Sequence, residues 1–414
     1  MKALNPARTV QELKDLRSLT SDEHGAQRVA FTETWAKARS WLKDRMADLP
    51  VEVHRDEAGN LWATLAGASE KALLIGGHMD SVPNGGWLDG CLNVLAGLEV
   101  LRRIHAECGG RPPVTVRLVD WADEEGARFG RSLFGSSAAA GSLNPDEVRG
   151  LADGKGVALP DVLKAYGIDL DRVAEARGEL RGAAAYIELH IEQGPVLEGL
   201  GLPLGAVLGT LGVERHIVRF TGQAAHSGAT PMDRRRDAFL AAGKMAQEIY
   251  SIAARWGGFC TIGSCTTRPG IATSVVEECA IILDQRHLDA ERLAEMWQEA
   301  QDAARRFAQE GNVEVKFSDL WRIEPVPFHP DLIEFCDAAI RETCGDSHRL
   351  PSGPLHDAAE VARAGVPTVM LFVQSLRGIS HNKIEDTRVE HLELAVQALD
   401  RLAAKTTAWI LEQG

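Results

Sequence analysis

The chain has 414 residues, 45% of them hydrophobic and 25% charged, with a formal net charge of −14. That length buries a large core and predicts two domains, and the acidic balance excludes nucleic acid and anionic membrane as partners, since both demand clustered Lys and Arg. Seven cysteines with no Cys-x-x-Cys predict reduced thiols in a cytoplasmic protein, and neither a signal peptide nor an apolar stretch of membrane-spanning length is expected.

In chain order, residues 10–46 carry helical periodicity through Leu13, Leu16, Phe31, Trp35, Ala38 and Leu42 and predict two helices. Residues 51–54 and 60–65 read as a strand pair turning around 56–59, and residues 71–75 as a strand that delivers His78 and Asp80 at its C-terminal end. A Pro-Asn-Gly-Gly turn follows, and Asp89 then opens an apolar helix over 93–107. An imidazole and a carboxylate gathered by a glycine-rich loop suit a divalent metal, with Asp80 better placed to orient His78 than to ligate. A lone His-x-Asp also reads as a capped turn.

Residues 114–120 predict a strand that leads into an acidic triplet, where Glu124 and Glu125 offer one carboxylate to ligate and one to take a proton. A solvated turn is the competing reading. Residues 134–141 are small and suit tight packing or a nest of backbone donors, and residues 144–177 predict helices and loops over the core. The segment 186–194 alternates as a strand that sets Glu188, His190 and Glu192 on one face, which is costly unless those groups serve a site or meet a charged partner.

From about residue 209 the character changes. A strand over 213–220, a glycine-rich turn holding His226, a helix over 237–254, strands over 261–264 and 280–285, a helix over 289–310 and a strand over 313–317 predict a compact α+β insert. Arg234, Arg235 and Arg236, followed by Asp237, read as a helix start and not as a polyanion site. The first domain resumes with a helix over 331–344, a loop to His356 and Asp357, a strand over 368–373, a Gly378-Ile-Ser-His381 loop and an amphipathic helix over 389–411. Alternating strands and helices predict an α/β layer architecture that gathers ligands at the carboxyl ends of its strands. No Gly-x-Gly-x-x-Gly follows a strand, which excludes a dehydrogenase.

Five segments stand in a fixed order: His78-Met-Asp-Ser-Val-Pro-Asn-Gly-Gly with Asp89-Gly, Glu124-Glu-Gly-x-Arg-Phe, Glu188-Leu-His-Ile-Glu-Gln-Gly, Ala225-His-Ser-Gly-Ala-Thr-Pro, and the terminal Gly-Ile-Ser-His381. Over essentially the whole chain this set resembles the hydantoinase/carbamoylase amidase branch of the M20 metallopeptidase superfamily, which holds N-carbamoyl-L-amino-acid hydrolases, β-ureidopropionases and allantoate amidohydrolases. The resemblance implies an α/β catalytic domain over 1–210 and 328–414, with an inserted α+β lid and dimerisation domain over 211–327. It implies a homodimer formed through that insert, a small-molecule substrate and two divalent ions, zinc or else manganese, nickel or cobalt. His78 and His190 would bind one ion and Glu125 and His381 the other, with Asp89 bridging and Asp80 orienting His78. Glu124 would be the general base toward metal-activated water. His226 would stabilise the oxyanion across the dimer, Gln193 would contact the carbamoyl group and Arg286 would hold the substrate carboxylate. Arg286 also reads as an ion pair with Asp284, Gln193 as a strand terminator and His226 as a helix cap.

Four departures from that family pattern lie toward the substrate side. Thr273 stands where relatives carry Asn, thirteen residues before Arg286; Pro354 and Leu355 replace small residues before His356; Asn93 replaces a Gly and Gln374 a Pro. Thr273, Leu355 and His356 are therefore candidate substrate-binding positions. The implied reaction cleaves the C–N bond of an N-carbamoyl amino acid or related ureido acid, releasing amino acid, ammonia and carbon dioxide. The alternative on the same site is an N-acyl-amino-acid amidase or dipeptidase-like hydrolase. The intact set of ligand-type residues argues against a scaffold protein with a lapsed centre.

Overall fold

A computed structural model describes residues 4–109 and 111–413. They divide into two compact units, one running to Gly209 and resuming at Phe328, the other Thr210–Pro327. In the first unit the strands of a mixed sheet follow the order Leu204–Thr210, Thr368–Val373, Ala183–Ile191, Ser69–His78, Val114–Trp121, Leu61–Leu65 and Glu52–Arg55, and His348–Ser352 pairs with Leu204–Thr210. The strands from Thr368–Val373 to Val114–Trp121 run parallel, and their neighbours on either side are antiparallel. Parallel strands are covered on both faces and so read as unbroken apolar runs; Leu73, Leu74 and Ile75, like Val369 to Val373, are fully buried.

The helices Pro6–Thr20, Cys91–Glu107, Pro330–Cys344 and Val389–Glu412 pack on one another, and the last three also pack on the sheet. Val389–Glu412 buries Leu392, Val396, Leu399 and Leu402 along one stripe. Each such side chain contributes about 1.5–3 kcal/mol when fully buried, enough to fix which face turns inward. Phe134–Ala140 and Asp357–Arg363 form a second group. The small residues of 134–141 serve tight packing: a Cβ on Gly135 would overlap the Asn60 side chain.

Among the described strands longer than two residues, Leu204–Thr210 and His348–Ser352 carry no pattern that the sequence analysis reads, the first because its Leu-Gly-Ala-Val-Leu-Gly-Thr run does not alternate and is broken by Gly205 and Gly209. One expectation needs correction. The strand that holds His190 ends at Ile191, and Glu192 leaves the shared face to accept the Val196 and Leu197 amides at 2.6 and 2.9 Å, capping the helix Val196–Leu200.

The second unit is a four-stranded antiparallel sheet in the order Phe259–Arg268, Glu278–His287, Gly212–Thr221 and Glu314–Ile323. Its inward residues, among them Val218, Phe220, Cys279, Ile281 and Leu283, meet Met245, Ile249, Met296 and Ala300 from the helices Ala238–Trp256 and Ala290–Glu310. Asp237 and Asp289 cap those helices by accepting the amides of Phe239 and Leu240, and of Glu291 and Arg292. Each cap stabilises its helix by about 1 kcal/mol.

Among the described residues no helix is long and apolar enough to cross a membrane. All seven cysteines are free.

Candidate metal centre

Three neighbouring parallel strands end on one rim of the first unit's sheet. His78 closes Ser69–His78, His190 is the penultimate residue of Ala183–Ile191, and Glu124 and Glu125 follow Val114–Trp121, with His78 in register with Trp121. Asp89 lies in the loop before the helix Cys91–Glu107, and His381 in the loop beyond Thr368–Val373. The loop of Asp89 can settle on His78 only because residue 90 is glycine: its φ is +66°, and a Cβ there would strike the His78 ring and carbonyl.

Asp89 divides its two oxygens. Oδ1 lies 3.0 Å from His190 Nε2 and 3.8 Å from His78 Nε2, while Oδ2 lies 3.3 Å from His381 Nε2, which is itself 3.4 Å from Glu125 Oε2. Glu124 Oε2 is 3.7 Å from His78 Nε2. His78, Asp89 and His190 make one group able to hold a cation, and Asp89, Glu125 and His381 another; His78, Glu124 and Glu125 make a third. Ligand atoms around one zinc ion sit roughly 3.3 Å apart, given bonds of about 2.0–2.2 Å, so these separations can accommodate a shared cation.

The tautomers suit it too. His78 Nδ1 is 3.1 Å from the Asp80 carbonyl and His190 Nδ1 is 2.8 Å from the Ile191 carbonyl, so each Nδ1–H donates to a backbone oxygen and each Nε2 is left toward Asp89. His78 Nε2 is buried without a hydrogen-bond partner. That orphaned nitrogen, facing carboxylates too far away to bond it, is the observation that fits a divalent cation to these residues.

Asp80 holds the rim together. Its carboxylate accepts the amides of Glu124 and Glu125 at 3.3 and 3.2 Å, and one of its oxygens lies 3.6 Å from His78 Nδ1. Burial pushes the Glu124 carboxyl far up, against the pull of His78, and pushes Glu125 up to about 7 with Asp89 adding to the effect. For Asp89 burial acts upward as well, but the imidazoles of His190, His381 and His78 outweigh it and hold the carboxyl well below its ordinary value. Hydrogen bonding to Asp89 raises His381 to about 9 despite partial burial. So many carboxylates in a buried site are stable only with positive charge among them.

Gln193, two residues beyond the end of its strand, has φ +57° and turns its side chain into the centre, where Nε2 donates to Asp89 Oδ2 at 2.9 Å and Oε1 is buried without a partner. His356 is buried with its ring 4.4 Å from that of His190; burial, with His190 adding, keeps it well below the usual imidazole range and hence neutral. Its Nε2 pairs with Ser352 Oγ at 2.9 Å, and Leu355 beside it is half-buried. In the second unit His226 and Thr273 are neighbours, both exposed: Ser227 N donates to the Thr273 carbonyl at 3.0 Å. His226 caps no helix, and its Nδ1 accepts the Gly228 amide at 3.1 Å. Arg286 pairs with Asp284 at 2.8 Å, as its ion-pair reading expects.

Two of the departures are explained by backbone contacts. Asn93 Oδ1 accepts the Leu189 amide at 3.0 Å, and Gln374 donates its own amide to the Pro203 carbonyl at 2.9 Å, which a proline could not do. One residue escaped the sequence analysis. Glu385 is buried against the Asp89 loop and accepts the amides of Leu88 and Asp89, both at 3.1 Å, and the Ser380 hydroxyl at 2.8 Å. Its only signal was an acidic residue four positions beyond His381 in a short loop.

Imidazoles and carboxylates gathered at the carboxyl ends of parallel strands mark a hydrolase of the metallopeptidase type. The sequence profile of Peptidase family M20/M25/M40 matches residues 74–405. An N-carbamoyl-L-amino acid amidohydrolase of Geobacillus stearothermophilus is 35% identical over 94% of both chains, and an allantoate amidohydrolase of Escherichia coli K12 is 34% identical over 91% of both. The crystal structure of a hydantoinase/carbamoylase family amidase from Burkholderia ambifaria superposes with a TM-score of 0.85 at 31% identity, covering 97% of each chain. The chain belongs to peptidase family M20/M25/M40, in its hydantoinase/carbamoylase amidase branch.

Proposed function

We propose that this chain is a metal-dependent amidohydrolase that cleaves the C–N bond of an N-carbamoyl amino acid or related ureido acid, releasing amino acid, ammonia and carbon dioxide. The observation that carries the reading is the division of Asp89 between two imidazole-containing groups, His78 with His190 and His381 with Glu125. Relatives named N-carbamoyl-L-amino acid and allantoate amidohydrolases support the substrate class.

In this reading His78 and His190 hold one divalent cation, Glu125 and His381 the other, and Asp89 lies between them. Such cations supply Lewis acidity toward the scissile carbonyl and acidify water. Glu124, buried beside His78 with its carboxyl pushed up by burial, takes the proton of the attacking water on a carboxylate oxygen and returns it to the leaving nitrogen. Asp80 keeps the His78 imidazole and the Glu124 backbone in place. Gln193 presents its unpartnered Oε1 to the ureido nitrogen, and His226 and Arg286 of the inserted unit serve the oxyanion and the substrate carboxylate. Thr273 and Leu355, each a departure from the family pattern, are the positions expected to set preference for the amino-acid portion of the substrate. A homodimer formed through the inserted unit completes the reading. Seven free thiols accord with the cytoplasm.

The test is ammonia and amine release from N-carbamoyl-L-amino acids, N-carbamoyl-β-alanine, allantoate and N-acyl-amino acids, with enzyme reconstituted separately with zinc, manganese, nickel and cobalt. Ammonia with free amine is the expected outcome. Amine without ammonia would move the assignment to an N-acyl-amino-acid amidase.

A further inference from the structure

We propose that Glu385 is the positioning residue of Asp89, and that it couples the two loops that carry Asp89 and His381. The inference rests on the reading of Asp89 as the ligand shared by two cations.

The first amides of a helix have no partner within it and are ordinarily met by a local side-chain cap. The helix Cys91–Glu107 has no such cap, because its leading residue is Gly90. The amides of Cys91 and Leu92 donate instead to the carbonyls of Asp89 and Leu88, and Glu385, distant in sequence, holds those same two residues: its Oε1 accepts the amides of Leu88 and Asp89, both at 3.1 Å. Its other oxygen accepts the Ser380 hydroxyl at 2.8 Å, and the same hydroxyl lies 3.1 Å from Asp89 Oδ2. Ser380 precedes His381 in the chain. One buried carboxylate thereby fixes the backbone of Asp89 and ties it to the His381 loop.

Two further observations set this apart from ordinary loop packing. A Cβ on Gly86 would overlap the Glu385 carboxylate, so the second glycine of the Pro-Asn-Gly-Gly turn makes room for it. A buried acid next to Asp89 also repels it, and a neutral acceptor would satisfy the same amides at lower cost. Cations bound to Asp89 remove that objection, because the extra negative charge then strengthens their hold.

The test is titration of the metal-free chain with cobalt(II), read by calorimetric affinity and by the visible absorption bands of the bound ion. Wild type, Glu385→Ala, Glu385→Gln and Ser380→Ala are compared, with the thermal midpoint of each metal-free chain as a control on folding. Glu385→Ala is expected to lose about 10- to 100-fold in affinity for one of two ions and to alter the bands. Glu385→Gln keeps an oxygen for the two amides but not the negative charge and recovers part of that loss, while Ser380→Ala falls between. Should Glu385→Ala not fold, the order of the other two variants decides. Variants that bind cobalt with wild-type affinity and spectrum overturn the proposal, as does a lower midpoint with unchanged binding. A wild-type chain that takes up no cobalt removes the metal-centre reading itself, and this proposal with it.

Discussion

The side-chain carbonyl of Asn93 accepts the backbone N–H of Leu189 at 3.0 Å. It does so beyond Ile75 and Ile187, the last residues at which the strands Ser69–His78 and Ala183–Ile191 pair. As those strands part, the helix Cys91–Glu107 enters between their ends, and Asn93 takes an amide that a departing neighbour strand leaves over. Such openings are where α/β sheets hold their sites. Asn93→Ala strands that buried amide and is expected to cost about 1–3 kcal/mol in denaturant unfolding of the metal-free chain. Unchanged stability would mean that Leu189 finds another partner.

Glu124→Gln keeps the size of the side chain but cannot accept a proton. Turnover is expected to fall by about 10²–10⁴-fold, with metal content by elemental analysis unchanged. Loss of metal together with activity would instead make Glu124 a ligand, in keeping with its place in the group with His78 and Glu125.

Thr273→Asn puts a side-chain amide in place of the hydroxyl at that position. Activity on ordinary N-carbamoyl-L-amino acids is expected to rise, through a lower KM more than a higher kcat, because a second donor would help hold the substrate carboxylate. No change in either constant would show that this position does not set the substrate.

Asp284 accepts from Arg215 at 2.7 Å and Arg286 at 2.8 Å. Burial acts to raise its carboxyl, but the two guanidiniums outweigh that and hold it below the ordinary carboxylate value. A carboxyl lowered on folding adds stability at pH values above its unfolded value, about 4, and loses that contribution as pH falls through the folded value. The thermal midpoint of wild type is therefore expected to drop below pH 4 more steeply than that of Asp284→Asn, by a small amount because the pair is half-exposed. Parallel acid limbs would count against it.

The parallel strands and the long amphipathic helices were legible because burial on two faces, or along one stripe, leaves a pattern in adjacent residues. Leu204–Thr210 was not, since its small apolar residues fit a strand, a helix or a turn equally well. The centre was legible in part for the same reason. His78, Glu124, Glu125 and His190 sit on or directly after strands that the sequence marks, and Asp89 and His381 lie in marked loops. Glu385 was not legible, because its partners Leu88 and Asp89 lie some 297 residues earlier and nothing local predicts that contact. Glu192 misled for the opposite reason: alternation placed it with His190, while a local demand, the open amides of Val196 and Leu197, claimed it.

The inserted unit Thr210–Pro327 falls between the residues that form the centre. During synthesis His78, Asp89 and His190 are all made before it, whereas His381, and with it Glu385, is made after. A nascent chain paused within the insert therefore carries every residue of two of the three groups and lacks His381 of the third, and Asp89 has no anchor from Glu385. The strand Thr368–Val373, which pairs with the strand of His190, is also still to come. The sheet and the group of Asp89, Glu125 and His381 are completed by the same late stretch of chain, so both wait on the synthesis of residues 368–381.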